Sequence, residues 1–181
     1  MKTSQLDVIT YGEAMTMFVA NETGELDQAM QFTKRIAGAE LNVSIGLSRL
    51  GMNVGWVSRV GDDSFGHFTL ATLEQEGIDH QCVTVDQRFP TGFQLKSKAE
   101  NGTDPKVEYF RKGSAASHLS VHDFDRTYFS QARHLHLSGV AAALSTDSLE
   151  LANHAAKEMR AMGKTISFDP NLRPVLWPSQ Q

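Results

Sequence analysis

The sequence predicts an α/β fold in which a mostly parallel central sheet is flanked by helices and accompanied by a small second sheet. Short runs rich in β-branched and aromatic residues alternate along the chain with stretches of helical periodicity. In the middle of the chain, two β-like runs follow each other across a turn-forming segment. A chain of 181 residues with 40% hydrophobic content is also long enough to bury a sizeable core.

The N-terminal part opens with three strand candidates, at residues 6–12, 15–19 and 31–36. A helical stripe through Val43, Leu47 and Leu50 follows and predicts an amphipathic helix. This helix is expected to end at Gly51, because glycine suits the left-handed C-cap. The next helix is expected to begin after Asp63, because aspartate suits an N-cap. The later elements are predicted as a strand over 54–60, helices over 64–76 and 121–132, a strand over 134–138, a helix over 146–162 and a strand over 164–169.

The middle of the chain interrupts the alternation of strand and helix. Residues 91–98 and 106–111 have β-like patterns, and the turn-rich segment 100–105 joins them, which predicts a hairpin. Because parallel neighbours need long crossovers, a hairpin does not belong inside a strand–helix–strand repeat. We therefore assign these two strands, with those near 15–19 and 31–36, to a separate small sheet.

Composition excludes several classes of function. The net charge is −4 and no run of Lys and Arg exceeds two residues, so we expect no nucleic-acid partner. No apolar run is long enough to span a bilayer, and the N-terminus lacks a signal sequence, so we expect a cytoplasmic protein without a membrane partner. The single cysteine, Cys82, is expected in a strand. His134 and His136 alternate along a predicted strand without a third ligand at suitable spacing, so no metal site is predicted.

A turn of small residues opens the first predicted helix and suggests a binding site. Gly38 and Ala39 lie in the segment Ala-Gly-Ala-Glu-Leu-Asn, which ends at Asn42. This spacing places one amide side chain in the first turns of the helix, where unpaired backbone N–H groups bind polar ligands. A second glycine cluster follows at residues 61–66.

The order of these residues resembles the N-terminal signature of the PfkB, or ribokinase-like, family of sugar kinases. The resemblance implies a ribokinase-like fold with a small β lid, and sugar contacts from Gly38, Ala39 and Asn42. It covers residues 1–181 but matches only about the first half of a typical member. We therefore expect the ATP-binding C-terminal part, including the catalytic Asp, to lie beyond Gln181, so that this fragment alone is inactive.

Two further blocks, at residues 109–117 and 168–177, resemble family members that phosphorylate 2-keto-3-deoxygluconate on its primary hydroxyl with ATP and Mg²⁺. The resemblance implies that Arg111 and Arg173 bind the carboxylate of this sugar acid, since guanidinium groups form paired, charge-assisted hydrogen bonds. Further contacts are expected from Gln94 and Tyr109 to the sugar, and from Asn171 and Arg173 to ATP.

Two alternatives remain open on the sequence. The element Asp-Pro-Asn-Leu-Arg at residues 169–173 also occurs in fructokinases, so a neutral-sugar kinase of the same family is one alternative. The other is a non-catalytic sugar-binding module.

Since lid strands expose an apolar face, the resemblance also implies a homo-oligomer formed through the lid.

Overall fold

The computed structural model describes residues 5–99 and 102–172 and contains two sheets. In chain order its helices and strands are β1 (Leu6–Tyr11), β2 (Met15–Ala20), β3 (Phe32–Ala37), α1 (Ala39–Arg49), β4 (Val54–Gly61), α2 (Ser64–Gln75), β5 (Asp79–Asp86), β6 (Phe93–Lys96), β7 (Val107–Phe110), α3 (Arg126–Ser130), β8 (Ala132–Ser138), α4 (Gly139–Ala142), α5 (Thr146–Ala161) and β9 (Thr165–Asp169).

The main sheet has five parallel strands in the order β5-β4-β1-β8-β9. The chain winds outward from β1 in one direction through β4 and β5, and in the other through β8 and β9. Such a change of direction leaves a crevice at the carboxyl ends of the central strands, where open α/β sheets bind ligands. The predicted α/β class with a mostly parallel sheet flanked by helices is confirmed.

Helices cover both faces of the main sheet. On one face, Leu41 of α1 and Leu73 of α2 pack with the fully buried Trp56 of β4. On the other, the core includes Leu135 of β8 and Leu151 of α5. A strand that is buried on both faces has a nearly continuous apolar sequence. This explains why β1 and β4 are rich in β-branched and aromatic residues.

The second sheet has four strands in the order β3-β2-β6-β7. Its strands lie at the four predicted ranges, and β6 and β7 form the predicted antiparallel hairpin. One face packs against α2 through an aromatic cluster, in which the ring centroids of Phe18 and Phe65 are 5.5 Å apart and those of Phe93 and Phe110 are stacked at 4.6 Å. The opposite face is turned towards the carboxyl ends of the main-sheet strands.

Predicted helix boundaries at 51 and 63 are confirmed. Gly51 adopts a φ of +87°, the left-handed conformation that ends α1. The Asp63 carboxylate accepts the backbone N–H groups of Phe65 and Gly66 at 3.0 and 2.8 Å, and so caps α2. It also accepts the N–H of Thr91 at 2.8 Å, which ties this cap to the segment that leads into β6.

The helix predicted over 121–132 is wrong. Ser120 caps a short 3-10 turn at Val121–Asp123, and the extended Phe124 ends it. Asp125 then begins α3 by accepting the N–H groups of the second and third following residues. Ser120 and Asp125 divide the segment, because each side chain accepts hydrogen bonds from backbone N–H groups that a continuous helix would use within itself.

Two other predictions need correction. Leu50 is 78% exposed, so the predicted stripe does not extend to it. Leu41 and Ser44 are buried residues of the inward face, and the predicted Leu47 packs partly buried against the same core. The structure also has a strand at Asp79–Asp86 that the sequence analysis does not predict, because polar residues at this edge of the sheet obscure the apolar pattern. Cys82 lies in that strand, as expected, and burial raises the pKa of its thiol to about 11.

The two alternating histidines of β8 contact hydroxyl groups of β9. The ring nitrogens of His134 lie 2.7 Å from Thr165 Oγ1 and 2.8 Å from Ser167 Oγ, and His136 Nδ1 lies 2.9 Å from the same serine. In the parts of the chain that the structure describes, no group of three His, Cys, Asp or Glu side chains could hold a metal ion. None of the described helices is long and apolar enough to cross a membrane.

Candidate functional site

A cavity of about 440 Å³ lies between the start of α1 and the second sheet. Its apolar wall includes Met15 and Met17 of β2 and Val140 of α4. A volume of this size is within the range of small-molecule sites. The structure brings six of the predicted site residues to this cavity, namely Gly38, Ala39, Asn42, Gln94, Tyr109 and Arg111.

The start of α1 requires glycine at position 38. Gly38 has a φ of +153°, and a Cβ atom there would lie 2.6 Å from the carbonyl oxygen of Glu13 and 3.1 Å from Cβ of Leu41. Any side chain would therefore displace the helix from the end of β1. The close packing carries the first turn of α1, and with it Asn42, to the rim of the cavity.

Asn42 combines a fixed backbone with an exposed side chain. Its N–H donates to the carbonyl oxygen of Gly38 at 2.9 Å, which is the first hydrogen bond of the helix. Its side chain is exposed and lines the cavity. The amide can both donate and accept hydrogen bonds, which suits the hydroxyl groups of a sugar.

Strands β6 and β7 supply the opposite wall. Gln94 and Tyr109 are direct cross-strand partners, so their side chains share one face of the sheet. Gln94 is buried, whereas Tyr109 is 47% exposed at the cavity mouth. Val107 and Arg111 also line the cavity, which confirms that these alternating residues of β7 and its end share a face.

Arg111 is already paired with a carboxylate. Its guanidinium contacts Glu13, and the two side chains are only 13% and 1% exposed. Glu13 also accepts a hydrogen bond from the Ser114 hydroxyl at 2.5 Å. Burial raises the pKa of Glu13, whereas Arg111 and Ser114 act to lower it. The structure thus ties the end of β7 to the β1–β2 connection by a buried ion pair.

A second buried carboxyl group lies nearby, on Glu40 in the first turn of α1. One of its oxygens accepts the N–H of Ala141 at 3.0 Å, which links α1 to α4. A Cβ atom on Gly12 would lie 2.6 Å from the other oxygen, so the end of β1 packs directly on this group. Burial raises the pKa of Glu40, and nearby hydrogen-bond donors, Ser138 among them, partly offset that rise.

Asn171, one of the two residues expected to contact ATP, does not line the cavity. It follows β9 with a φ of +40°, and its N–H donates to Asp169 at 2.9 Å. Arg173 lies outside the described residues, so its contacts with sugar and nucleotide stay predictions. One amide does not make a nucleotide site.

Two residues at the site were missed by sequence reasoning. Lys96 lines the cavity two positions after Gln94, and the two-residue period of a strand could have placed both on one face. Glu13 follows the glycine that ends the first strand. The rule that ligand-binding groups follow the carboxyl ends of parallel strands would have drawn attention to it.

Comparison with known proteins agrees with this geometry. The profile described as pfkB family carbohydrate kinase matches residues 5–181. Over 177 residues the chain is 50% identical to the 2-dehydro-3-deoxygluconokinase of Bacillus subtilis strain 168, an alignment that covers 97% of this chain and 54% of that protein. The chain thus spans about half the length of the curated relatives it matches.

Solved structures give the same result. The crystal structure of a PfkB protein from Polaromonas sp. JS666 matches with a TM-score of 0.92 and 54% identity, covering 95% of this chain and 58% of that one. A sugar kinase from Pyrococcus horikoshii, solved in complex with ATP, matches with a TM-score of 0.86 and 27% identity, covering 96% and 56%. Fold, cavity and sequence therefore agree, and the chain belongs to the pfkB family of carbohydrate kinases.

Proposed function

We propose that the protein containing this chain transfers the γ-phosphoryl group of ATP to the primary hydroxyl of 2-keto-3-deoxygluconate. The observation that carries the proposal is the position of Arg111, which lines the cavity beside the hydrogen-bonding groups of Asn42, Gln94 and Tyr109. A guanidinium can bind a carboxylate through two parallel N–H donors. The 50% identity to a 2-dehydro-3-deoxygluconokinase supports the same substrate.

The four polar residues named above have separate tasks in this proposal. Asn42 and Gln94 exchange hydrogen bonds with sugar hydroxyls, while Tyr109 covers the open side. Arg111 holds the carboxylate, with Glu13 fixing the position of its guanidinium. ATP supplies the phosphoryl group, and phosphoryl transfer needs chiefly positioning and charge neutralisation from the protein. The group that accepts the hydroxyl proton, Mg²⁺ and the cytoplasmic location stay predictions.

The test replaces Arg111 in the full-length protein. Arg111→Ala removes a charge-assisted pair worth about 1.5 to 3 kcal/mol, so KM for 2-keto-3-deoxygluconate is expected to rise at least tenfold while KM for ATP stays unchanged. The matched control is Arg35→Ala, which replaces an exposed arginine on β3, at the opposite edge of the second sheet from β7 and outside the cavity lining. Unchanged affinity for the sugar acid in Arg111→Ala would contradict the proposal.

The second candidate is a neutral-sugar kinase such as a fructokinase. The ion pair with Glu13 favours it, because this pair already balances the charge of Arg111. The ratio of kcat/KM for 2-keto-3-deoxygluconate and fructose decides between the two substrates. Membership of a kinase family favours either enzyme over a non-catalytic sugar-binding module.

We also propose that the protein is a homo-oligomer formed through the second sheet, which acts as a lid.

A further inference from the structure

The described residues that line the cavity include two cations and no carboxylate, but a buried carboxylate behind the lining pairs with one of these cations. Arg111 is the arginine of the lining, but its guanidinium contacts the buried carboxylate of Glu13. At the same site Ser114 donates a hydrogen bond to that carboxylate at 2.5 Å, which stabilises its negative charge. Arg111 and Glu13 together therefore contribute no net charge. An anionic ligand needs a further cation to be preferred over a neutral one of the same shape.

Among the described residues that line the cavity, Lys96 is such a cation. It would act in addition to Arg173, the other predicted carboxylate contact, which lies outside the described residues. Lys96 is the last residue of β6, pairs across the hairpin with Val107, and points into the cavity on the same face as Gln94. Its side chain is partly buried. Among the ion pairs formed within residues 5–99 and 102–172, none includes Lys96.

Other lysines of this sheet are engaged elsewhere. Lys106 pairs with Glu25 at 2.5 Å. Lys34 lies 4.1 Å from the ring centroid of Phe68, on the face that packs against α2. Lys98 is exposed and donates to the carbonyl oxygen of Asn21 at 3.1 Å. Lys96 thus differs from these lysines because it lines the cavity, and no described carboxylate pairs with it there.

We infer that Lys96 determines the charge specificity of the site by supplying the unbalanced positive charge that favours an anionic sugar over a neutral one. The inference rests on the proposed function and assigns a separate task to each cation. Arg111, held by Glu13, fixes the orientation of the carboxylate through its planar donors. Lys96, a compact charge on a flexible chain, compensates the negative charge that the ligand brings into a partly desolvated cavity.

The experiment measures calorimetric affinity of the full-length protein for 2-keto-3-deoxygluconate and for its neutral C1 amide. Lys96→Met keeps the length and apolar stem of the side chain and removes the charge. We expect it to weaken binding of the acid about tenfold and to change binding of the amide less than about twofold. The dependence of acid affinity on salt should also become shallower, since one fewer charge attracts the ligand.

Two further variants separate charge from folding. Lys96→Arg restores the charge and should recover most of the preference for the acid, whereas Lys98→Met, on the exposed end of the same segment, should behave like the wild type. A wild-type preference that Lys96→Met retains would overturn the assignment of Lys96 alone. A wild-type protein that does not prefer the acid to the amide would overturn the proposed substrate, and the role of Lys96 with it.

Discussion

The two sheets of this molecule use their surfaces in opposite ways. In the main sheet, β4 is buried along almost its whole length and its largest residue, Trp56, is fully inaccessible. In the second sheet, β7 is mostly exposed, with Tyr109 and Phe110 each 47% exposed. The main sheet is covered on both faces by helices, whereas the second packs only one face and leaves the other to the cavity.

This difference assigns stability mainly to one sheet and recognition mainly to the other. A parallel sheet depends on burial of both faces, so its residues are selected for packing. A sheet with one free face can carry polar side chains there without the cost of burying them. Lys96 and Tyr109 lie on such a face and line the cavity, together with the more buried Gln94. Substitutions in the two sheets should therefore affect different measurements.

The largest effect is expected from Trp56→Ala in the full-length protein. Removing a fully buried aromatic side chain leaves a cavity and should lower the free energy of unfolding by about 3 to 5 kcal/mol. Tyr109→Ala is the matched aromatic truncation on the second sheet and should cost less than about 1 kcal/mol, because the side chain is half exposed. Urea unfolding compares the two. Equal costs would show that the cavity face of the second sheet is part of the core.

An intermediate effect is expected where the two sheets are joined by Glu13 and Arg111. Glu13→Ala leaves a guanidinium buried without its partner, and should lower the free energy of unfolding by about 3 kcal/mol. The double variant with Arg111→Ala should cost clearly less than the sum of the single variants, because the second change removes the unpaired charge. A double-mutant cycle by urea unfolding measures this coupling. Additive costs would show that the pair contributes nothing as a pair.

The smallest effect is expected at Glu40, and it depends on pH. Burial raises the pKa of this carboxyl above its ordinary value of 4.5, so the folded protein holds the proton more tightly than the unfolded chain does. This group's contribution to stability is complete below that ordinary value and is lost as the pH rises through the raised pKa. Glu40→Gln should therefore stabilise the protein by about 1 kcal/mol near pH 8, with a smaller gain near pH 5.

Thermal unfolding at the two pH values measures the effect of Glu40→Gln. The control is Glu74→Gln, which replaces an exposed glutamate on α2 and should show no such dependence on pH. A destabilised Glu40→Gln at the higher pH would mean that the ionised carboxylate is needed for the packing of α1 on α4.

Much of the fold could be predicted because it depends on local patterns. The cap at Asp63 and the left-handed Gly51 follow from the residue types that satisfy a helix end. The hairpin of β6 and β7 follows from a dense turn between two β-like runs. The continuous helix predicted over 121–132 is wrong because two successive capping residues, Ser120 and Asp125, each begin a separate short helix.

By itself the sequence determined the order of most elements, the family signature around Gly38 and Asn42, and which residues of β7 share the face that lines the cavity. Only the tertiary structure decided which charges at the site are balanced. Glu13 and Ser114 are separated by 101 positions, yet they meet beside Arg111. Local propensity describes residues a few positions apart, whereas ion pairing depends on which strand ends are brought together. Once Glu13 is known to pair with Arg111, Lys96 is left as the lysine of the cavity lining that has no described carboxylate partner.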